Sequence, residues 1–234
     1  MQTSELDIVY FVKHGIINEE FRYSLRSVCQ NMPHRRVWVF GGCPRDIVPD
    51  MRVRVVQEGK TKWDKVRTMF RMAAENNEIT DSFILFNDDF FVMKPVNKIV
   101  PLYRGTLDQH IKILDRAYRN SSYSNLVKDV RKELLKKTDE PLSYELHVPF
   151  VFNKKKLLKL IDKYPNQHCT RTLYGNLYKI GGEKSDDFKV FSDRPDFDYK
   201  DAPYLSTYDG IVSINNAVWQ YIKKSFPKKC KFES

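Results

Sequence analysis

Residues 82–95, Ser-Phe-Ile-Leu-Phe-Asn-Asp-Asp-Phe-Phe-Val-Met-Lys-Pro, run an apolar stretch straight into two adjacent carboxylates and then resume apolar sequence. Phe83, Ile84, Leu85 and Phe86 have the length and the aromatic and β-branched content of a strand buried on both faces, as in the middle of a parallel sheet. Asn87, Asp88 and Asp89 then fall at its carboxyl end, the edge at which open α/β sheets bind ligands. Adjacent acids between apolar flanks are costly unless a cation neutralises them, and a divalent ion shared with phosphate does so. A nucleotide diphosphate held with Mg²⁺ or Mn²⁺ fits such an edge, with Asp88 and Asp89 as metal ligands and Asn87 beside the donor. Asn and Asp are also turn formers that bond their own backbone. A plain turn seldom separates two strongly apolar runs, so the return of apolar sequence at residues 90–93 favours the ligand-binding step.

At 234 residues the chain can build one sizeable α/β domain. The expectation is a single domain over 1–234 with a helical insertion at about 98–140. A 41% hydrophobic and 30% charged composition is that of a soluble globule. No apolar stretch reaches the length of a membrane span and the first residues lack a signal pattern, which predicts a cytoplasmic protein. Cys29, Cys43, Cys169 and Cys230 have no paired spacing, which argues against a zinc site or a disulfide framework. The net charge of +10 favours polyanionic partners, although the solvated face of a helix is the commoner explanation for runs such as Lys154-Lys155-Lys156.

In chain order, residues 7–12 read as a first buried strand, with Lys13, His14 and Gly15 in the loop where a base or ribose would sit. Asn18 caps a helix whose first turn carries Glu19 and Glu20. Residues 36–40 and 52–56 read as further strands, a Rossmann-like opening without a Gly-x-Gly-x-x-Gly fingerprint. From Thr61 a helix buries Val66, Met69, Phe70 and Ala73, and its other side offers Lys65 and Arg67 as contacts to a diphosphate. Residues 106–118 and 124–137 have helical spacing and form the insertion, a natural lid over an acceptor. Residues 142–152 read as a strand in which Glu145 and His147 share a face, so that the acid orients the imidazole. Asn153 caps the next helix and Arg171 stands among small polar residues. Residues 186–193 read as an edge strand with further acids, residues 195–203 as an aromatic-rich loop, and Ser213 as the cap of a last helix.

The acidic step resembles the Asp-x-Asp-type motif of GT-A glycosyltransferases. Phe86-Asn87-Asp88-Asp89-Phe90-Phe91 is more similar still to the Stealth family of sugar-phosphate transferases. Arg22-Tyr23-Ser24-Leu25-Arg26-Ser27, Leu146-His147-Val148-Pro149 with Lys156, Arg171, Ser213-Ile214-Asn215-Asn216 and residues 226–233 resemble further blocks of that family. The resemblance implies a GT-A-like fold, a mostly parallel sheet flanked by helices. It also implies a metal-dependent transferase using a nucleotide sugar, a UDP-sugar first among them. Asp89 with Asp88 would hold the ion, His147 would be the base for the acceptor hydroxyl, and Arg171 an electrostatic clamp. The family's usual first block is replaced by Tyr10-Phe11-Val12-Lys13-His14, which favours glycosyl transfer over sugar-1-phosphate transfer. The positive charge makes DNA bases or an acidic cell-surface glycan the expected acceptors. A non-catalytic nucleic-acid or glycan-binding module is the rival from another class.

Overall fold

A computed structural model describes residues 2–14, 17–55, 61–117, 121–192, 195, 197–208, 210–212 and 216–234. Gly15, Val56 and Ser213, which the sequence placed in a loop, a strand and a helix cap, lie outside them.

Five strands form the central sheet in the order β3-β2-β1-β4-β7. They are β1 (Asp7–Val12), β2 (Val37–Gly41), β3 (Met51–Val53), β4 (Ser82–Asn87) and β7 (Phe150–Asn153). The first four run parallel, and β7 is antiparallel to β4 with Leu85 opposite Phe150. The expected mostly parallel α/β sheet is therefore the observed one. β1 and the first five residues of β4 are buried on both faces, as a sheet covered on two sides requires.

The two faces are separate cores. Val9, Phe11, Trp38, Phe40, Phe83 and Leu85 point into one, together with Phe70 and Ala73 of α2 (Lys62–Glu75). Ile8, Tyr10, Val37, Val39, Ile84 and Phe86 point into the other, together with Phe21, Leu25 and Val28 of α1 (Glu19–Asn31). The alternation follows the two-residue period of a strand. Both helices begin as their sequences require. Asn18 Oδ1 accepts from Phe21 N at 2.9 Å, and Thr61 and Asp64 close a reciprocal capping box.

The chain goes from β1 through α1 to β2 on one side and later returns to β4 on the other, so the connections diverge between β1 and β4. In open α/β sheets that divergence opens the ligand crevice beyond the carboxyl ends of the strands. Gly42, just after β2, lets the loop after β1 pack closely: a Cβ on it would lie 2.3 Å from the Lys13 carbonyl oxygen.

Past β4, β5 (Phe90–Val92) pairs antiparallel with β9 (Tyr204–Ser206). The short β6 (Leu102–Tyr103) pairs with β8 (Glu183–Lys184). The insertion holds α3 (Leu107–Ala117) and α4 (Ser122–Leu134), and Tyr123 stacks on Trp63 of α2 at 5.9 Å. After β7 come α5 (Lys154–Lys163), capped by Asn153, and α6 (Thr170–Leu177). The last helix is α7 (Ala217–Ser225), whose cap is Asn216.

Three expectations are corrected. The strand read over 142–152 is only β7; residues 142–149 approach it as an irregular segment, with Leu146 N bonded back to Tyr144 O. The edge strand read over 186–193 reduces to one bridge between Lys189 and Ser206. Lys154 is buried rather than solvated, and its ammonium bonds the carbonyls of Asn76 and Ile79 at 2.7 Å each.

Candidate active site at the carboxyl edge of the sheet

Because β7 runs against β4, the residues leading into β7 pass over the carboxyl end of β4. This brings His147 to the acidic step. Its ring meets Phe90, the residue after Asp89, edge-on at 6.4 Å, and the exposed Phe191 at 6.3 Å. His147 is half-exposed.

The carboxylate beside His147 is Asp187. Its Oδ1 accepts from His147 N at 3.0 Å, and its Oδ2 lies 2.8 Å from Nδ1. Arg104 adds an ion pair to Oδ2 at 2.5 Å. Burial alone would raise the Asp187 carboxyl, but the bond to His147 and the charges of His147 and Arg104 override it and hold it well below the usual carboxylate range. An ionised acceptor facing Nδ1 holds a proton there, so that in the neutral form of the ring Nε2 is the nitrogen with the lone pair.

Glu145, expected to do this, is turned elsewhere: its Oε1 accepts from Thr172 N at 3.1 Å. The pairing on one strand face fails because no strand exists at 142–149.

Arg171 is buried rather than open to a ligand. Its Nη1 donates to Leu146 O at 2.5 Å and Val148 O at 2.9 Å, the two carbonyls flanking His147. Its guanidinium stands over the Phe90 ring at 5.4 Å. Burial lowers its pKa, and the charges of Glu145, Asp89 and Asp187 oppose that shift. His110 braces the same segment through Ser143 Oγ at 2.8 Å. Burial, aided by the Arg104 charge, pulls its pKa down to about 4 and keeps it neutral.

At the strand tip, Asp88 Oδ2 accepts from Asn18 Nδ2 at 2.7 Å, tying the step to the start of α1. Asp89 Oδ2 accepts from Ser206 Oγ at 2.8 Å and from Lys189 Nζ at 2.9 Å. Among the described residues, no three His, Cys, Asp or Glu side chains group as a metal cluster.

The remaining expected contacts divide. Lys13 is exposed in the loop after β1, and His14 Nε2 lies 3.1 Å from Val55 O, tying that loop to the segment that follows β3. Lys65 lies near the amino end of α2, half-buried. The Arg67 guanidinium donates to Tyr164 O and Gln167 O at 3.1 Å each and also to Ile161 O, so it caps the end of α5. Asp187, Arg104, Lys189 and Ser206 were not singled out by sequence. The available signal was Asp187 and Lys189 two residues apart, on one face of an extended run.

The sheet order, the diverging connections and the polar edge define an open, mostly parallel α/β fold flanked by helices. No family model matches the sequence, and no curated protein matches it. Among solved structures, the chain is similar in fold to the galactosyltransferase LgtC in complex with donor and acceptor sugar analogs, with a TM-score of 0.50, 11% identity, and coverage of 97% of this chain and 98% of that one. An active-site mutant of LgtC gives the same TM-score of 0.50 at 12% identity. The apo-form glycosyltransferase GlyE of Streptococcus pneumoniae TIGR4 covers 78% of this chain and 45% of its own, with a TM-score of 0.39. The GT-A-like fold is thus established, as a matter of architecture. No helix among the described residues is long and apolar enough to cross a membrane.

Proposed function

We propose that the protein transfers a sugar from a nucleotide sugar, with a UDP-sugar as the first candidate, to an acceptor hydroxyl at the carboxyl edge of β4. The observation that carries this reading is the His147–Asp187–Arg104 relay next to the acidic step. A histidine with its Nδ1 proton committed to a buried carboxylate presents Nε2 as a base. The acceptor O–H gives its proton to Nε2, the oxygen bonds to the anomeric carbon, and the bond from that carbon to the diphosphate breaks. Arg171 positions the base by holding the carbonyls on both sides of it.

Asp88 and Asp89 fit Mg²⁺ or Mn²⁺ of the kind held by one or two carboxylates together with substrate phosphates. An ammonium already resting on Asp89 marks a position that calls for a cation. Such an ion, when bound, neutralises charge on the departing diphosphate. Lys13 and Lys65 are the candidate contacts to the donor on the other side of the crevice.

A second reading, sugar-1-phosphate transfer, is supported by the Leu146-His147-Val148-Pro149 segment and Arg171 meeting the Asn87-Asp88-Asp89 step in space, as the Stealth resemblance implies. There the acceptor oxygen bonds to phosphorus and the phosphoanhydride breaks. Incubation with radiolabelled UDP-sugar, Mn²⁺ and a panel of acceptors separates the two. UDP release is expected for glycosyl transfer, UMP release establishes the second reading, and neither product with any donor overturns both.

A further inference from the structure

Asp89 Oδ2 takes two donors at the strand tip. It accepts from Lys189 Nζ at 2.9 Å and from Ser206 Oγ at 2.8 Å, which occupies both lone pairs of a carboxylate oxygen. Lys189 also donates to Thr207 O at 2.7 Å. Both charged side chains are largely covered, 16% exposed for Lys189 and 18% for Asp89, so their attraction is screened less than that of a surface pair. The backbone carrying Lys189 is fixed: Val190 N bonds Ser206 O at 2.8 Å and Ser206 N bonds Phe188 O at 3.0 Å, joining the segment to β9. β9 is in turn paired with β5, with Phe90 opposite Ser206. Lys189 is therefore delivered to Asp89 by the fold and reaches it by its side chain alone.

We infer that Lys189 is a resident counter-ion that competes with the divalent ion for Asp89 and makes metal binding conditional on the nucleotide. The inference rests on the transferase reading above. A cation can take Asp89 Oδ2 only if the ammonium leaves, and an ammonium that leaves a largely covered carboxylate needs another anion. The diphosphate of the donor supplies one. Metal and nucleotide should therefore bind with positive coupling, reciprocal by thermodynamic necessity, and the free protein should resist loading with metal alone.

The test is Mn²⁺ binding by the full chain, followed through the electron paramagnetic resonance signal of free Mn²⁺, with and without UDP. Wild type should bind Mn²⁺ weakly alone and about tenfold or more tighter with UDP, the scale of one lost charge-assisted bond. Lys189→Met should bind Mn²⁺ about tenfold tighter than wild type without UDP and gain less from UDP, while Lys189→Arg stays near wild type. Should Lys189→Met fail to fold, Lys189→Gln carries the same comparison. Equal Mn²⁺ affinity in wild type and the neutral variants, with Asp89→Asn abolishing it, overturns the inference and leaves the transferase reading intact. Binding of neither Mn²⁺ nor UDP to any of these proteins overturns the transferase reading, and the inference falls with it.

Discussion

His147 and Asp187 are forty positions apart in the chain, and the chemistry proposed here depends on that one contact. If Nε2 takes the acceptor proton, His147→Gln keeps a polar side chain of similar reach without a base, and turnover should fall by about 10²-fold or more. Donor binding, read as the melting shift produced by UDP, should stay unchanged; a variant with wild-type turnover sinks the assignment. The histidine and the acids at the strand tip were legible in sequence because each sits in a short apolar run that makes a polar side chain conspicuous. The partner was not. The two-residue period of a strand points to Glu145, but a segment that contains Pro149 and turns back on itself at Leu146 carries no such period. The contacts of Arg171 are not legible, since no local pattern reveals that a guanidinium will be buried against the carbonyls beside His147.

At the scale of elements, the starts of α1, α2 and α5 and the buried strands β1 and β4 follow from caps and periodicity, the last helix starts from its cap Asn216 rather than from Ser213, and the pairing of the C-terminal segment with α1 is purely tertiary. Glu233 accepts from Arg26 Nη2 and Nε at 2.7 Å and from Arg22 Nη1 at 3.2 Å, which fastens the last residues onto α1. Burial would raise its carboxyl, but the Arg26 bond and its other donors override this and bring its pKa from 4.5 to about 2. The folded form thus holds the proton less readily than the unfolded chain. The contribution is complete above about 4.5 and disappears as pH falls toward about 2. At roughly 1.4 kcal/mol per pKa unit it amounts to about 3 kcal/mol. Glu233→Gln should therefore lower the melting temperature by roughly 5–10 °C at neutral pH. The gap to wild type should narrow steadily in melts taken between pH 4.5 and 2; a gap independent of pH shows that the latch is not electrostatic.

For the whole molecule, a mostly parallel sheet with polar residues at its carboxyl edge is legible because short strand–helix–strand spacings leave few right-handed topologies, whereas the strand order β3-β2-β1-β4-β7 is not. On the proposed reading, long-range charge bears on which acceptor reaches the crevice. A chain with a net charge of +10 draws polyanions toward itself, and each phosphate it neutralises releases a counter-ion, so that binding weakens with a slope of about −0.9 per contact on a logarithmic salt scale. If the acceptor is polyanionic, transfer to it should fall by one or more orders of magnitude between roughly 50 and 200 mM salt. Hydrolysis of the nucleotide sugar in water, which needs no polyanion, should change far less, because its charges meet inside the crevice where screening is weak. Parallel salt titrations of the two reactions, with duplex DNA and an acidic glycan as acceptors, read this directly. Equal sensitivity in both reactions would place the salt effect on the donor, and an acceptor reaction indifferent to salt would assign the excess lysines to solubility rather than to recognition.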